Sequence, residues 1–274
     1  MQTARINGVN LAWERTGELG EPLVLVHGSW GDHHNWDPVV PPLSRMFRVY
    51  TYDRRGHSDS ERLAGQGSIE EDVEDLAAFI TTNGLAPAHV AGNSFGAAIT
   101  LKLAAARPDL FASASAHEPP LIGMLENHPA MPAVQQRIRA ALDVLESGDM
   151  EAGARYFVEN VALGPGMWDR LPPAMRRTFV FNAPTWMDEM RESATAMTVE
   201  LHRLATFERP LLLTRGDQSP PFFYAILDRI AAATPRAEQH TFHGAGHVPH
   251  LTHSEEYVQV LTEFAARGTP RKTP

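Results

Sequence analysis

The chain has 274 residues, enough for one substantial hydrophobic core or two small ones. Its formal net charge of −9 argues against a surface that binds polyanions, so we expect no nucleic-acid partner. Cysteine is absent, which excludes disulfides, thiolate metal sites and a cysteine nucleophile.

The sequence carries no pattern typical of secretion or of a membrane span. Residues 1–13 lack a basic segment followed by an apolar stretch, so we predict no signal peptide. The longest apolar runs, such as residues 22–26, are only long enough for a strand. We therefore expect a soluble cytoplasmic protein, monomeric or homodimeric, with no membrane partner.

The first part of the chain alternates short β-branched runs with helical patterns, which predicts βαβ units and a mainly parallel sheet. Residues 3–6 and 10–15 are typical of an opening hairpin. Further strands are predicted at residues 22–27, 47–53, 89–92 and 111–117, and helices at residues 69–82 and 95–107. Ser68 is the predicted N-cap of the first helix, and Glu71 completes a capping box.

From residue 121 to residue 207 the strand pattern disappears, leaving helical segments broken by proline and glycine. After it we predict strands at residues 209–215 and 239–242, helices at residues 222–233 and 254–267, and a loop at residues 243–251. This order predicts one α/β core, residues 1–120 and 208–274, that carries a helical insertion, residues 121–207, rather than two consecutive domains.

A serine lies at the predicted turn between a strand and a helix. Residues 92–96 are Gly-Asn-Ser-Phe-Gly, the pattern G-x-S-x-G. Holding Ser94 at a sharp turn in a sparsely allowed backbone region costs roughly 1–3 kcal/mol, and the flanking glycines let strand and helix pass closely. We predict that Ser94 is a nucleophile; the alternative is a glycine-rich turn with an N-capping serine.

A serine nucleophile needs donors for the developing oxyanion and a base for its proton. Residues 27–31, His-Gly-Ser-Trp-Gly, follow the first predicted parallel strand. We predict an oxyanion hole formed by the backbone N–H groups of Ser29 and Phe95. The alternative for residues 27–31 is a plain turn that ends a strand.

The base must be chosen among 13 histidines. His247 lies in a glycine-rich loop between the last predicted strand and helix, where small neighbours let an imidazole project over the sheet edge. With an ordinary pKa of about 6.5, it can take and return a proton near neutral pH. His243, His250 and His253 lie nearby, but their spacing matches no standard ligand motif, so we predict no metal.

The motifs together resemble the α/β-hydrolase superfamily. His27-Gly28, residues 52–58 (Tyr-Asp-Arg-Arg-Gly-His-Ser), the Ser94 turn and the His247 loop occur in that superfamily's order. The resemblance implies a mostly parallel sheet with helices on both faces, a helical cap at residues 121–207 and no cofactor. Residues 53–58 are then architectural, and Ser58 stands where many members have glycine.

The resemblance also implies an acid that orients the histidine, and here the sequence departs from the usual pattern. The usual position, three residues after Gly216, holds Ser219, while Asp217 is two residues early. In the dehalogenases that use glutamate and in certain lactone hydrolases, the acid follows the preceding strand, where this chain has Glu118. We favour Glu118, with Asp217 as the alternative acid; Glu118 could also be a capping or hinge residue.

These residues predict a cofactor-independent serine hydrolase that cleaves a small apolar carboxylic ester or lactone through an acyl-enzyme. Serine at the turn, rather than aspartate, argues against dehalogenase and epoxide hydrolase chemistry. Hydrolysis of a carbon–carbon bond, a cofactor-free oxygenase and a non-catalytic ligand receptor stay open as alternatives. The residues predicted to line an apolar substrate pocket are Trp30, Trp168, Trp186, Met190 and Phe222, with ordinary packing inside the cap as the alternative.

Overall fold

The computed structural model describes residues 1–191 and 196–268. Residues 192–195 of the predicted insertion and residues 269–274 of the predicted core lie outside the described residues. Within the described ranges, no helix combines the length and the hydropathy that crossing a bilayer requires.

An eight-stranded sheet in the order β1-β2-β4-β3-β5-β6-β7-β8 forms the centre of the molecule. Its strands are β1 (Gln2–Ile6), β2 (Val9–Thr16), β3 (Pro22–Val26), β4 (Arg48–Tyr52), β5 (Ala88–Asn93), β6 (Phe111–His117), β7 (Leu211–Gly216) and β8 (Glu238–Phe242). The β1–β2 and β2–β4 pairs are antiparallel, and all other neighbouring strands are parallel. The mainly parallel α/β architecture predicted from the sequence is therefore confirmed.

The helices alternate with these strands and also fill the segment between β6 and β7. They are α1 (Val40–Leu43), α2 (Ile69–Thr82), α3 (Phe95–Ala106), α4 (Met131–Glu146), α5 (Met150–Phe157), α6 (Met167–Arg170), α7 (Pro173–Glu189), α8 (Leu201–Leu204), α9 (Phe222–Ala233), α10 (Pro249–Thr252) and α11 (Ser254–Gly268). Short 3₁₀ helices cover His33–Trp36, Pro108–Leu110 and Ile122–Leu125, and a π-helix covers Val158–Ala162. The α2 helix begins as predicted, with the Ser68 and Glu71 capping box in place.

Helices cover both faces of the sheet, as the alternating side chains of β3 demonstrate. Val24 and Val26 pack into one buried cluster with apolar residues of α2, α3 and α9. Leu23 and Leu25 pack into a second cluster with residues of α1 and α11. A strand buried on both faces requires an unbroken apolar sequence, which is what β3 has.

The inserted segment, residues 121–207, contains α4 to α8 and no strand among its described residues. It has a cluster of buried apolar side chains of its own, which also takes in Trp30 from the loop after β3. This cluster includes Ala141, Leu145, Ala154, Val158, Trp168, Leu171, Ala183 and Trp186. The division of the chain into a core and a cap stays a prediction.

Buried polar side chains of α7 join the inserted segment to the loops above the sheet. The Asn182 amide donates to the carbonyl oxygens of Trp30 at 3.1 Å and Gly31 at 2.9 Å. The Thr185 hydroxyl donates to the carbonyl oxygen of Gly56. Because these hydrogen bonds are buried, replacing either side chain by an apolar one would leave carbonyl oxygens buried without that donor, at a cost of about 1–3 kcal/mol each.

The structure differs from the sequence prediction in its shortest helices. The predicted loop at residues 243–251 is interrupted by α10, which begins at Pro249. Proline suits the first turn of a helix because its fixed φ is already helical and its missing N–H has no intrahelical acceptor there. The short helix α1 and the 3₁₀ helix His33–Trp36 were likewise not predicted, because neither is long enough to show a periodic apolar pattern.

Candidate active site

Ser94 occupies a strained turn at the carboxyl end of β5. Its backbone has φ 55° and ψ −122°, and its side chain makes no capping hydrogen bond to α3. A Cβ atom at Gly92 would lie 2.2 Å from the carbonyl oxygen of Gly96, so this turn requires glycine. The strain and the absent capping bond favour a functional role over a plain N-cap.

Two backbone amides beside Ser94 are available to bind an anion. A Cβ atom at Gly28 would lie 2.9 Å from Ser94 Cβ, so the loop after β3 runs directly against the serine. Among the described residues, the N–H groups of Ser29 and Phe95 donate to no protein acceptor, and both residues line the same cavity as Ser94. The N-terminus of α3 adds positive potential at the Phe95 amide.

Glu118 and His247 are in direct contact. Glu118 follows β6 with φ 47°, and its Oε2 accepts a hydrogen bond from His247 Nδ1 at 2.6 Å. Its Oε1 accepts from the Gly216 amide at 2.8 Å. Asp217, the alternative acid, is exposed and accepts instead from His243 Nδ1 at 3.0 Å. The carboxylate that touches His247 is therefore the one after β6.

The surroundings of Glu118 keep its buried carboxylate ionised. Burial alone would raise its pKa, but His117, the hydrogen bond from His247 and the Gly216 amide lower the pKa to about 2. His117 is itself buried, and this burial lowers its pKa to about 4. Because His117 is then neutral near pH 7, the hydrogen bonds from His247 and Gly216 are the main stabilisers of the Glu118 charge.

Two neighbours that the sequence did not reveal hold His247 in place. The Phe223 ring stacks on the imidazole with a centroid distance of 4.5 Å and an interplanar angle of 17°. The Asn93 amide donates to the His247 carbonyl oxygen at 2.9 Å. Asn93 stands at a variable position of the G-x-S-x-G pattern, so only its place next to Ser94 could have drawn attention to it.

Ser94 and His247 face a cavity between the sheet edge and the inserted segment, with about 970 Å³ of empty space that is partly open to solvent. No hydrogen bond joins their side chains among the described residues. Catalytic hydrogen bonds often shorten only in the substrate complex. Most of the lining is apolar, including Ile122, Val134, Ile138, Phe157, Leu163 and Phe179.

The cavity lining corrects part of the predicted pocket. Trp186, Met190 and Phe222 line it. Trp30 and Trp168 do not, so their prediction as pocket residues is wrong: both are buried in the cluster of the inserted segment, 1 % and 2 % exposed. Trp30 stacks there on Phe157 with a ring-centroid distance of 4.9 Å.

One group of side chains could hold a metal ion. His117, Glu118 and His247 are buried and offer ligand atoms within 4.8 Å of one another. A cation there would compete with the hydrogen bond between Glu118 Oε2 and His247 Nδ1, since both use the same oxygen and ring. The sequence-based expectation of no metal stays a prediction.

Known proteins resemble this chain over most of its length. The sequence pattern of the alpha/beta hydrolase family matches residues 23–260. A pimeloyl-[acyl-carrier protein] methyl ester esterase from Methylococcus capsulatus is 30 % identical over 260 residues, which cover 92 % of this chain and 97 % of that protein. The enol-lactonase structure from Burkholderia xenovorans LB400 superposes with a TM-score of 0.80 at 22 % identity, covering 97 % of this chain and 100 % of that one.

Other relatives match only locally. The dihydrolipoyllysine-residue acetyltransferase component of the acetoin cleaving system of Pseudomonas putida is 40 % identical over 115 residues, 42 % of this chain and 31 % of that protein. This match and two other local ones span 31–49 % of the length of those relatives. Since the family pattern matches most of the chain, the protein belongs to the alpha/beta hydrolase family.

Proposed function

We propose that the protein is a serine hydrolase that cleaves an uncharged carboxylic ester or lactone, with Ser94 as nucleophile, His247 as base and Glu118 as the acid that orients it. The observation that carries this proposal is the 2.6 Å hydrogen bond from His247 Nδ1 to Glu118, in a cavity that also contains Ser94. A carboxylate on one ring nitrogen leaves the other, Nε2, free to accept a proton.

The reaction follows from these positions. Ser94 Oγ attacks the carbonyl carbon while His247 Nε2 removes the hydroxyl proton, and the Ser29 and Phe95 amides stabilise the oxyanion. Collapse of the tetrahedral species breaks the bond to the alcohol oxygen, which leaves with the proton from His247. Water then attacks the acyl-Ser94 ester by the same route, releasing the acid and regenerating the serine.

The cavity supports an uncharged substrate. Among the described residues that line it, none is lysine, arginine, aspartate or glutamate. Burying a carboxylate there without a partner would cost several kcal/mol. The names of the methyl ester esterase and the enol-lactonase add support for esters and lactones as the substrate classes.

A substrate panel tests the proposal. p-Nitrophenyl esters, aryl esters and lactones are assayed with and without a serine-directed phosphonate, whose site of attachment is read by peptide mass spectrometry. We expect turnover of uncharged esters or lactones, and inhibition with label on Ser94. Label on another residue, or no turnover of any member of the panel, would overturn the proposal. Turnover that depends on dissolved oxygen would point instead to an oxygenase.

A further inference from the structure

A buried ionic cluster lies behind the loop after β3, outside the proposed catalytic group. Glu189 of α7 is 4 % exposed, and Arg54, just after β4, is fully buried. Arg54 Nη2 donates to Glu189 Oε1, while its Nε and Nη2 donate to the Asp72 carboxylate at 3.1 and 3.3 Å. Buried ion pairs contribute little net stability, because desolvating the charges offsets their attraction.

The cluster touches both residues of the proposed oxyanion hole. Glu189 Oε2 accepts a hydrogen bond from the Ser29 hydroxyl at 2.7 Å. The Arg54 guanidinium lies 4.4 Å from the centroid of the Phe95 ring, a cation–π contact. The Arg54 amide also donates to His27 Nε2 at 2.9 Å, which fixes the residue two positions before Ser29. One ionic pair therefore contacts the side chains of both amide donors.

The same helix provides part of the cavity wall. Trp186 and Met190 of the α7 region line the cavity, whereas Glu189, between them in sequence, accepts a hydrogen bond from the Ser29 hydroxyl. Although Ser29 lines the cavity, its hydroxyl is committed to Glu189. The group that Ser29 has free for a bound anion is therefore its backbone N–H, and the hydrogen bond to Glu189 restrains the same residue.

We propose that Glu189, together with Arg54, is a positioning residue that holds the Ser29 amide in line with the oxyanion. The proposal rests on the serine-hydrolase function proposed above. A donor is useful only when it already points to where charge develops in the transition state. Loss of Glu189 should therefore weaken transition-state stabilisation while leaving substrate binding nearly intact.

If Glu189 acts through its charge, kcat should depend on the protonation of Glu189 and therefore on pH. Burial raises the pKa of Glu189 to about 7, although Arg54 opposes this rise. The titratable groups facing its carboxyl are Arg54, Asp72, Asp188 and His57, whose Nε2 lies 3.8 Å away. Above pH 7 the carboxylate is ionised and pairs fully with Arg54; below pH 7 it becomes protonated. Glu189→Gln resembles the protonated form at every pH.

The first experiment compares wild type with Glu189→Gln. We expect kcat to fall about 10- to 100-fold at pH 8, less than the loss of a whole donor, with KM changed by no more than about twofold. The ratio of the two kcat values should shrink as the pH falls below 7, because only wild-type Glu189 loses its charge.

A matched inhibitor pair reports on the oxyanion itself. A trifluoromethyl ketone adds Ser94 Oγ across its carbonyl, forming a hemiketal oxyanion as the proton passes to His247; the methyl ketone of the same shape binds as a ground-state analogue. Glu189→Gln should weaken the fluorinated inhibitor by the same factor as kcat. The methyl ketone should bind with unchanged affinity. Equal weakening of both ketones would overturn the proposal.

Two further variants separate positioning from folding. Asp188→Asn is the control: Asp188 is the neighbouring buried acid on α7 and also pairs with the core, through Arg62 at 2.6 Å, but it contacts neither Ser29 nor Phe95. At pH 8, where Glu189 is ionised in both proteins, we expect Asp188→Asn to alter stability with kcat unchanged. Ser29→Ala removes the hydroxyl that Glu189 accepts, and its effect on kcat should be non-additive with that of Glu189→Gln.

The outcomes distinguish this proposal from the function it rests on. If wild type hydrolyses no ester or lactone and the phosphonate does not label Ser94, the serine-hydrolase function fails first. If wild type is active but Glu189→Gln and Ser29→Ala retain its kcat, or if their effects are additive and match that of Asp188→Asn, the positioning role alone is wrong. If Glu189→Gln does not fold, Ser29→Ala with the ketone pair decides the question.

Discussion

The carboxyl edge of the sheet and the inserted segment contribute to one cavity in different ways. At the sheet edge, Ser94 and Glu118 follow adjacent parallel strands, and their positions are set by backbone hydrogen bonds of β5 and β6. In the inserted segment, α7 directs one set of side chains into the cavity and another, including Asn182 and Glu189, into the core. The sheet edge thus carries the residues of the proposed chemistry, while the inserted segment shapes the cavity and contacts the loops after β3 and β4.

The largest expected effect on kcat comes from substituting Ser94 at the sheet edge. Ser94→Ala should lower kcat at least about 10⁴-fold, because the proposed acyl-enzyme forms on the Ser94 hydroxyl. The fold and the affinity for an uncharged ligand should change little, since the hydroxyl makes no hydrogen bond to α3. Steady-state kinetics, thermal unfolding and ligand titration measure the three quantities. Substantial residual turnover would remove Ser94 from the reaction.

Acid should destabilise the protein through the histidines around the sheet edge. Burial lowers the pKa of His27 to about 3 and that of His117 to about 4, and it lowers the pKa values of His57 and His250 well below the ordinary 6.5. Below pH 6.5 the unfolded chain binds protons at these positions and the folded chain does not. The free energy of unfolding should therefore decrease as the pH is lowered below 6.5, by up to about 1.4 kcal/mol per pH unit for each histidine.

Protonation of Glu189, in the inserted segment, has the opposite effect on the free energy of unfolding. Its folded pKa of about 7 exceeds the ordinary 4.5, so between these values the folded state binds a proton that the unfolded state does not. Its contribution to stability rises as the pH falls. Urea unfolding at several pH values should show a steeper acid loss for Glu189→Gln than for wild type, by about 1.4 kcal/mol per pH unit. If the free energy of unfolding depended on pH equally in wild type and Glu189→Gln, this stabilising effect of Glu189 protonation would be wrong.

Substituting two buried tryptophans of the inserted segment should have smaller effects, which differ according to whether the residue lines the cavity. Trp186 lines the cavity and Trp168 does not, although both are 2 % exposed. Trp186→Phe should change the ratio of kcat/KM between short and long acyl esters about tenfold. Trp168→Phe should lower stability by roughly 0.5–3 kcal/mol and leave that ratio unchanged. Equal shifts in selectivity would mean that the cavity does not select the acyl group.

The difference between the regions also explains what the sequence could predict. A parallel sheet brings the carboxyl ends of its strands to one edge, so recognising the strands places Ser94, Glu118 and His247 near one another. No such rule applies within the inserted segment. Trp168 and Trp186 both suit an apolar pocket by residue type, but helix packing decides that, of these two, Trp186 reaches it. Residue type alone cannot determine which side of a helix faces a cavity.

Glu189 was missed for a related reason. It lies 135 positions after Arg54 in the chain, and its significance appears only when α7 packs against the loops after β3 and β4. Arg54 belongs to residues 53–58, to which the family resemblance assigned an architectural role without identifying a partner. Phe223 was missed because its stacking on His247 depends on how α9 packs beside the last loop.

The pair of variants Glu118→Gln and Asp217→Asn tests the central claim most directly. Glu118 accepts the hydrogen bond from His247, and loss of its charge should lower kcat by up to about 10⁴-fold with little change in KM, because the imidazolium formed during attack loses its counter-charge. Asp217 pairs with the exposed His243, so Asp217→Asn should retain the wild-type kcat. A crippled Asp217→Asn beside a fully active Glu118→Gln would contradict the account.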